Sequence, residues 1–266
     1  MTPRYIDAHC HIQFDQYAND SAELIARMRD EGVIGIVVGV DIESSKRAIA
    51  LAEAHEHLFA SVGLHPNHTM ELFDEAAYRE LAAHPRVVAI GECGLDYFRP
   101  ADVTEDVKDA QRALFRKHIA LASESGKPLI IHARPSKGTQ DAYGDLIGLL
   151  REGKKAHPDV SGDVHFFVGG REEANELVTL GFSVSYTAVI TFARDYDATL
   201  RAVPLSHLLS ETDAPYVAPA SRRGERNDPL AVPEIVRKMA DVRGEDEERV
   251  RETLLENARR LFSLPI

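Results

Sequence analysis

Six side chains able to hold a metal ion stand where short apolar runs end: His9, His11, Glu92, His132, His165 and Asp213. Imidazole nitrogens and carboxylate oxygens are the donors that divalent transition ions take. His9-Cys10-His11 is the tightest signal. On an extended strand, residues i and i+2 face one side, so both imidazoles can reach one ion while Cys10 points away. Ile6-Asp7-Ala8 delivers the pair, with Asp7 placed to orient one of the histidines. Glu92 follows Val87-Val88-Ala89-Ile90-Gly91 and is flanked by Gly91 and Gly94, where backbone can approach a ligand closely. His132 ends the apolar run Pro128-Leu129-Ile130-Ile131. His165 follows Val160–Val164, and Asp213 follows Leu208-Leu209-Ser210-Glu211-Thr212. Four histidines and two carboxylates exceed what one tetrahedral ion needs. They suit two ions about 3.5–4 Å apart that share a bridging carboxylate. Zinc, manganese and nickel match the histidines, and magnesium the carboxylates, so the metal identity stays open.

Each residue also has a plain structural reading: His-x-His as core packing, Glu92 as a solvated carboxylate at a strand end. What decides is the set of elements that carries them. Eight apolar runs read as strands: Tyr5–His9, Val33–Val40, Leu58–Leu64, Val87–Gly91, Pro128–His132, Val160–Phe166, Gly181–Ser185 and His207–Ser210. A helix opens at Asp20-Ser21-Ala22-Glu23. Six more cover Glu43–Ala54, Asp74–Ala83, Lys108–Ser125, Ala142–Glu152, Glu172–Leu180 and Asp195–Val203. Gly32, Gly126 and Gly181 follow helices, as helix-ending glycines do. The tail from Val232 reads as two further helices covering the outside or the bottom.

Strand–helix alternation through eight units predicts a parallel sheet. Strands 1, 4, 5, 6 and 8 each place a metal-competent side chain at or just past the C-terminal end. An open sheet would keep strands 1 and 8 apart from the middle ones. A closed (β/α)₈ TIM barrel brings all these ends to one rim, where barrel enzymes keep their sites. The expected architecture is one α/β barrel domain spanning residues 1–266. His65, in Gly63-Leu64-His65-Pro66, ends strand 3 on that rim and is either a substrate contact or a bystander. His55, His57, His84, His118 and His157 read as structural.

Composition narrows the partners. No run nears the roughly 18 apolar residues of a membrane span, and the N-terminus shows no signal-peptide pattern. Cys10 and Cys93 form no disulfide framework, which fits a reducing cytoplasm. The net charge of −12 disfavours broad duplex binding. Two divalent ions would reverse that field locally and allow capture of a single phosphate.

The motifs resemble those of the TatD-type metal-dependent deoxyribonucleases of the amidohydrolase superfamily. The resemblance rests on Ile6-Asp7-Ala8-His9-Cys10-His11, Val62-Gly63-Leu64-His65-Pro66, Gly91-Glu92-Cys93-Gly94-Leu95-Asp96-Tyr97, His132-Ala133-Arg134, His165-Phe166-Phe167, Glu211-Thr212-Asp213-Ala214-Pro215 and the late Asn257-Ala258-Arg259-Arg260-Leu261-Phe262. It implies that His9, His11, Glu92 and Asp213 hold one ion and that Glu92, His132 and His165 hold the other. Glu92 then takes the bridging place filled by a carboxylated lysine in many related amidohydrolases. It further implies a monomer acting as an exonuclease on single-stranded DNA, especially at 3′ ends. Two loops depart from the family: Pro135-Ser136-Lys137-Gly138-Thr139-Gln140 is longer, and Phe166-Phe167-Val168 replaces a small polar residue before Gly169. Asp213 is then both ligand and general base. His65, Arg134 and Arg223 are expected phosphate contacts, Arg223 from the run Ser221–Asn227. A solvated loop paired with Glu225 and Asp228 is the plain reading of that run. Tyr97, Phe98 and Tyr216 are candidates for stacking on bases. Rival readings are a barrel hydrolase of small amides, esters or lactones, one acting on aminoacyl-tRNA, and a non-catalytic metal-binding scaffold.

Overall fold

A computed structural model describes residues 2–68, 71–99 and 103–266. The strands are β1 (Tyr5–Cys10), β2 (Val33–Val38), β3 (Leu58–Val62), β4 (Val87–Asp96), β5 (Leu129–Arg134), β6 (Gly162–Val164), β7 (Ser183–Tyr186) and β8 (Leu208–Ser210). The helices are α1 (Ser21–Asp30), α2 (Ile42–Ala54), α3 (Glu75–Ala82), α4 (Glu105–Ser125), α5 (Asp141–Ala156), α6 (Arg171–Thr179), α7 (Asp197–Ala202), α8 (Val232–Arg243) and α9 (Glu247–Leu261). Neighbouring strands pair in parallel, in the order of the sequence. Most helices bury one face against the sheet. In α1 those residues are Leu24, Ile25 and Met28, at helical spacing. Polar side chains cap the starts of α2, α3, α4 and α9; Asp41, for example, accepts the Ser44 N–H at 2.6 Å.

The barrel closes between β8 and β1 with few ladder bonds. The His11 N–H donates to Ala214 O at 2.7 Å and the Asp213 N–H to His9 O at 2.9 Å. Asp7 fastens the seam. Its carboxylate accepts from the Thr212 N–H at 2.8 Å, the Thr212 hydroxyl at 2.5 Å and the His9 N–H at 3.2 Å. Asp7 therefore does not orient a histidine ring, as expected from the sequence; it ties the first strand to the last. Its burial pushes its pKa well up, against the hydrogen bonds from Thr212.

Two apolar layers result. One fills the space between the sheet and the helices, with Cys10, Val37, Leu58 and Phe115. The other fills the barrel, where Ile6, Ile34, Ile36 and Phe59 meet Phe262 and Leu264 from the C-terminus. The Asn257 side-chain amide donates to Leu205 O and Leu208 O, which sets α9 across the end where the strands begin. Among the described residues, no helix is long and apolar enough to cross a membrane.

The strand bounds shift in ways that matter for the site. β4 does not stop at Gly91 but carries Glu92 inside it and runs on to Asp96. β5 also runs on, past His132 to Arg134. β6 is short, so His165 and Phe166 lie beyond it. His207 falls in a 3-10 turn before β8.

Candidate metal centre

His9, His11, Glu92, His132, His165 and Asp213 converge at the rim where the strands end. The register of β1 against β2 slips between Asp7 and Cys10, and that of β4 against β5 between Ile90 and Cys93. A bulge re-aims the side chains beside it, and His9 and Glu92 sit in these two bulges. Glycine makes the second possible. Gly91 has φ +151°, and an added Cβ would lie 2.3 Å from Ile130 O. Gly94 has φ +132°, and its Cβ would lie 2.1 Å from His132 O.

Glu92 divides the centre. Its Oε2 faces His9 Nε2 at 3.6 Å and His11 Nε2 at 3.7 Å. Asp213 Oδ1 lies 3.7 and 3.6 Å from the same two nitrogens, which are 3.0 Å apart. Ligands about 2.0–2.1 Å from a tetrahedral ion stand about 3.3–3.4 Å from one another, so the separations of His9 and His11 from each other and from each carboxylate oxygen are near those of such a shell. Glu92 Oε1 faces His132 Nδ1 at 2.9 Å, His165 Nε2 at 3.0 Å and His65 Nε2 at 3.4 Å. His132 Nδ1 and His165 Nε2 are 3.2 Å apart.

Outside this ring, acceptors face the other histidine nitrogens. His11 Nδ1 donates to Val38 O at 2.8 Å. His132 Nε2 lies 3.2 Å from Asp96 Oδ2. The buried Glu211 carboxylate faces His9 Nδ1 at 3.9 Å and His165 Nδ1 at 3.6 Å, and the two rings stack 3.9 Å apart. With a cation bound, the acceptors at His11 Nδ1 and His132 Nε2 would keep those ring protons outward and leave the inner nitrogens free to ligate. Converging lone pairs repel unless a cation stands between them. His9 Nδ1, His165 Nδ1 and Glu211 Oε2 are buried without a hydrogen-bond partner. The donor set thus fits divalent metal.

Charge follows the geometry. Burial alone would raise the Glu92 pKa. The imidazoles of His65 and His165, with hydrogen bonds from His132 and His165, outweigh it and hold the carboxyl well below its ordinary value. Burial would likewise raise Asp213, but its hydrogen bond to His11 and the nearby His9 lower it. Burial works to depress His165, yet Glu92 and Glu211 hold it well above the ordinary value. For His9, burial and His165 together win and lower it. Phe166 (φ +46°) and Asp213 (φ +52°) adopt left-handed backbone at the rim. Asp tolerates that region; a bulky aromatic rarely does. The Phe166 N–H is held by Glu211 Oε1 at 2.5 Å.

Above the centre opens a cleft of about 910 Å³. Phe98 and Tyr216 on its walls are 48% and 40% exposed, and Tyr216 is free to receive a flat ligand. The Arg134 guanidinium lies over the Phe98 ring at 4.2 Å. Tyr97 is buried, with its hydroxyl on Asp145 at 2.7 Å, and therefore packs.

The family model described as TatD related DNase matches residues 6–263. The chain belongs to that family. It is 36% identical over 264 residues to the uncharacterized metal-dependent hydrolase YabD of Bacillus subtilis (strain 168), covering 97% of this chain and 98% of the relative. It is 34% identical over 269 residues to the 3′-5′ ssDNA/RNA exonuclease TatD of Musicola paradisiaca (strain Ech703), covering 97% of each. The solved structure of YjjV, a TatD homologue from Escherichia coli K12, superposes with a TM-score of 0.89 at 29% identity, covering 100% of both chains.

As a TatD-family barrel, the chain places its site residues as follows. The six expected ligands meet, and His65 joins them at Glu92 rather than standing off as a phosphate contact alone. Arg134 lines the cleft. Arg223 lies elsewhere, over the Phe192 ring at 3.9 Å, with a bond to Ala218 O; neither side chain is among the described residues lining the cleft. Its neighbours are tied up: Arg222 pairs with Asp228 at 2.7 Å and Arg226 with Asp20 at 2.9 Å. Sequence reasoning gave Glu211 and Asp96 no role. Their signal was present: each is a carboxylate in a ligand-bearing motif, at a strand's end.

Proposed function

We propose that the chain is a two-metal nuclease that removes nucleotides from the 3′ end of single-stranded DNA, with Glu92 bridging the ions. The observation that carries this is the division of the Glu92 carboxylate, Oε2 turned to His9 and His11 and Oε1 to His132 and His165, with His65 a little farther from Oε1. The relative that is a 3′-5′ ssDNA/RNA exonuclease supports the substrate. His9, His11, Glu92 and Asp213 would hold one ion, and Glu92, His132 and His165 the other. Bound divalent ions would lower the pKa of an attacking water and offset charge developing on the phosphate.

The chain's own groups do the rest. Asp213, kept ionised beside His9 and His11, is the acceptor for the water's proton. His65 stands beside Glu92, placed to touch a phosphate oxygen. Arg134 offers a guanidinium to the same phosphate, steadied by Phe98. Tyr216 offers a face for bases. One chain supplies every residue named, and we take the enzyme to act as a monomer, with the cytoplasm as its proposed location.

The test is digestion of 3′- and 5′-labelled single strands by metal-reconstituted protein. The expected product ladder shortens from the 3′ end, and Asp213→Asn and His132→Ala lose at least about 10²-fold in rate while staying folded. Wild-type rates from a fully metallated Asp213→Asn protein would refute the base. Faster turnover of a lactone, ester or amide panel than of DNA would replace the nuclease reading.

A further inference from the structure

The cleft is two-sided. Glu92 and Asp213 form its floor. Histidines aside, the other charged residues lining it among the described residues are all cations: Arg99, Arg134 and Lys137. This occurs in a chain with 43 acidic and 31 basic residues. Arg134 is the last residue of β5, and Arg99 and Lys137 come from the loops after β4 and β5. Nearby Lys108 and Arg112 are spent on Asp141 and Asp145; the cleft cations have no ion-pair partner among the described residues. The opposite side, from the loops after β6, β7 and β8, is apolar and aromatic: Val168, Val189, Tyr196, Tyr216 and Val217.

Lys137 is the least obvious of the cations and the best mounted. It sits at the tip of a tight turn closed by the Thr139 N–H on Ser136 O at 3.0 Å. Gly138 follows with φ +77°, the left-handed residue such a turn requires. Asp141 clamps the turn from below. Its carboxylate takes the Ser136 N–H at 2.9 Å, the Ser136 hydroxyl at 2.8 Å and the Lys108 ammonium at 2.8 Å, with the Thr139 hydroxyl also at 2.8 Å. A long flexible side chain on a clamped turn keeps a point charge in one neighbourhood without fixing its angle. That suits a backbone phosphate whose exact position varies with sequence.

We infer that a single strand lies in the cleft with its backbone along the Arg99–Arg134–Lys137 side and its bases toward the apolar side, and that Lys137 binds a phosphate 5′ of the one being cut. The inference rests on the nuclease reading above and deepens it. The recognised feature is charge, so Lys137 governs how strongly a strand is held rather than which base is removed.

The test neutralises one partner at a time. A set of oligonucleotides carries a single methylphosphonate, each at a different linkage 5′ of the scissile one. Wild type and Lys137→Ala are compared by kcat/KM, with Lys137→Arg as the conservative variant. At one linkage, wild type should lose about tenfold on neutralisation. Lys137→Ala should lose about tenfold on the fully charged strand, with no further loss at that linkage. Its salt slope should fall by about 0.7, and Lys137→Arg should restore both values. Losses that multiply at every linkage, or a Lys137→Ala protein equal to wild type on the charged strand, would overturn the inference while leaving the nuclease reading intact. A wild-type protein that cuts no strand would overturn both.

Discussion

At the end of the barrel where the strands begin, Phe262 and Leu264 close over Ile6, Ile34, Ile36 and Phe59, apolar on apolar. At the opposite end, equally buried positions hold His9, His11, Glu92, His165 and Glu211. The first arrangement stabilises the fold through area removed from water. The second gathers like-charged or lone-pair-bearing groups that burial penalises, and three of their buried atoms lack partners. One sheet thus serves as both core and chemical platform because its two ends are filled by opposite rules. Apolar packing holds the end where the strands begin, and the proposed chemistry falls where they finish.

Substitution at the first end can break this division. Phe262→Ala should cost about 3–5 kcal/mol by the usual cost of a buried aromatic cavity, read as a lower urea midpoint. Activity per folded molecule should stay as in wild type. Reduced activity in protein shown to be folded would mean that the two ends are coupled.

A smaller effect sharpens the contrast, because one buried histidine belongs to neither end. His118 on α4 accepts the Leu64 N–H at 3.0 Å and donates to Leu114 O at 3.0 Å. Burial pushes its pKa down to about 4. Between about pH 6.5 and that value, the unfolded chain takes a proton that the folded chain refuses. Stability therefore falls as the pH drops through this window, by at most about 1.4 kcal/mol per pH unit. Urea unfolding at several pH values should show a shallower slope for His118→Gln than for wild type. Identical slopes would mean that His118 does not resist protonation.

The barrel and the convergence of the six candidate ligands were legible in the sequence for one reason. Apolar runs and helix starts mark the alternation, and each ligand sits at the end of such a run. Reading Ile131-His132 or Val164-His165 needs only local pattern. What stayed hidden depends on contacts between distant segments. Asp7 looks like a histidine partner from its neighbours, but Thr212 claims it across the seam. Glu211 is the shared acceptor behind His9 and His165, which the chain places far from each other. The arginines of Ser221–Asn227 looked available, yet Asp20 and Asp228 lie within reach of two of them. The bulges at His9 and Glu92 also escape a pattern of strict alternation, although Gly91 and Gly94 mark the second.

The central claim is that Glu92 joins two metal sites at the reactive end. The direct measurement is metal content per chain after reconstitution and desalting, for wild type and Glu92→Ala, with folding checked by circular dichroism. Two ions in wild type and no more than one in folded Glu92→Ala is the predicted result. A wild-type protein that saturates at one ion, or a Glu92→Ala protein that keeps two, would contradict it.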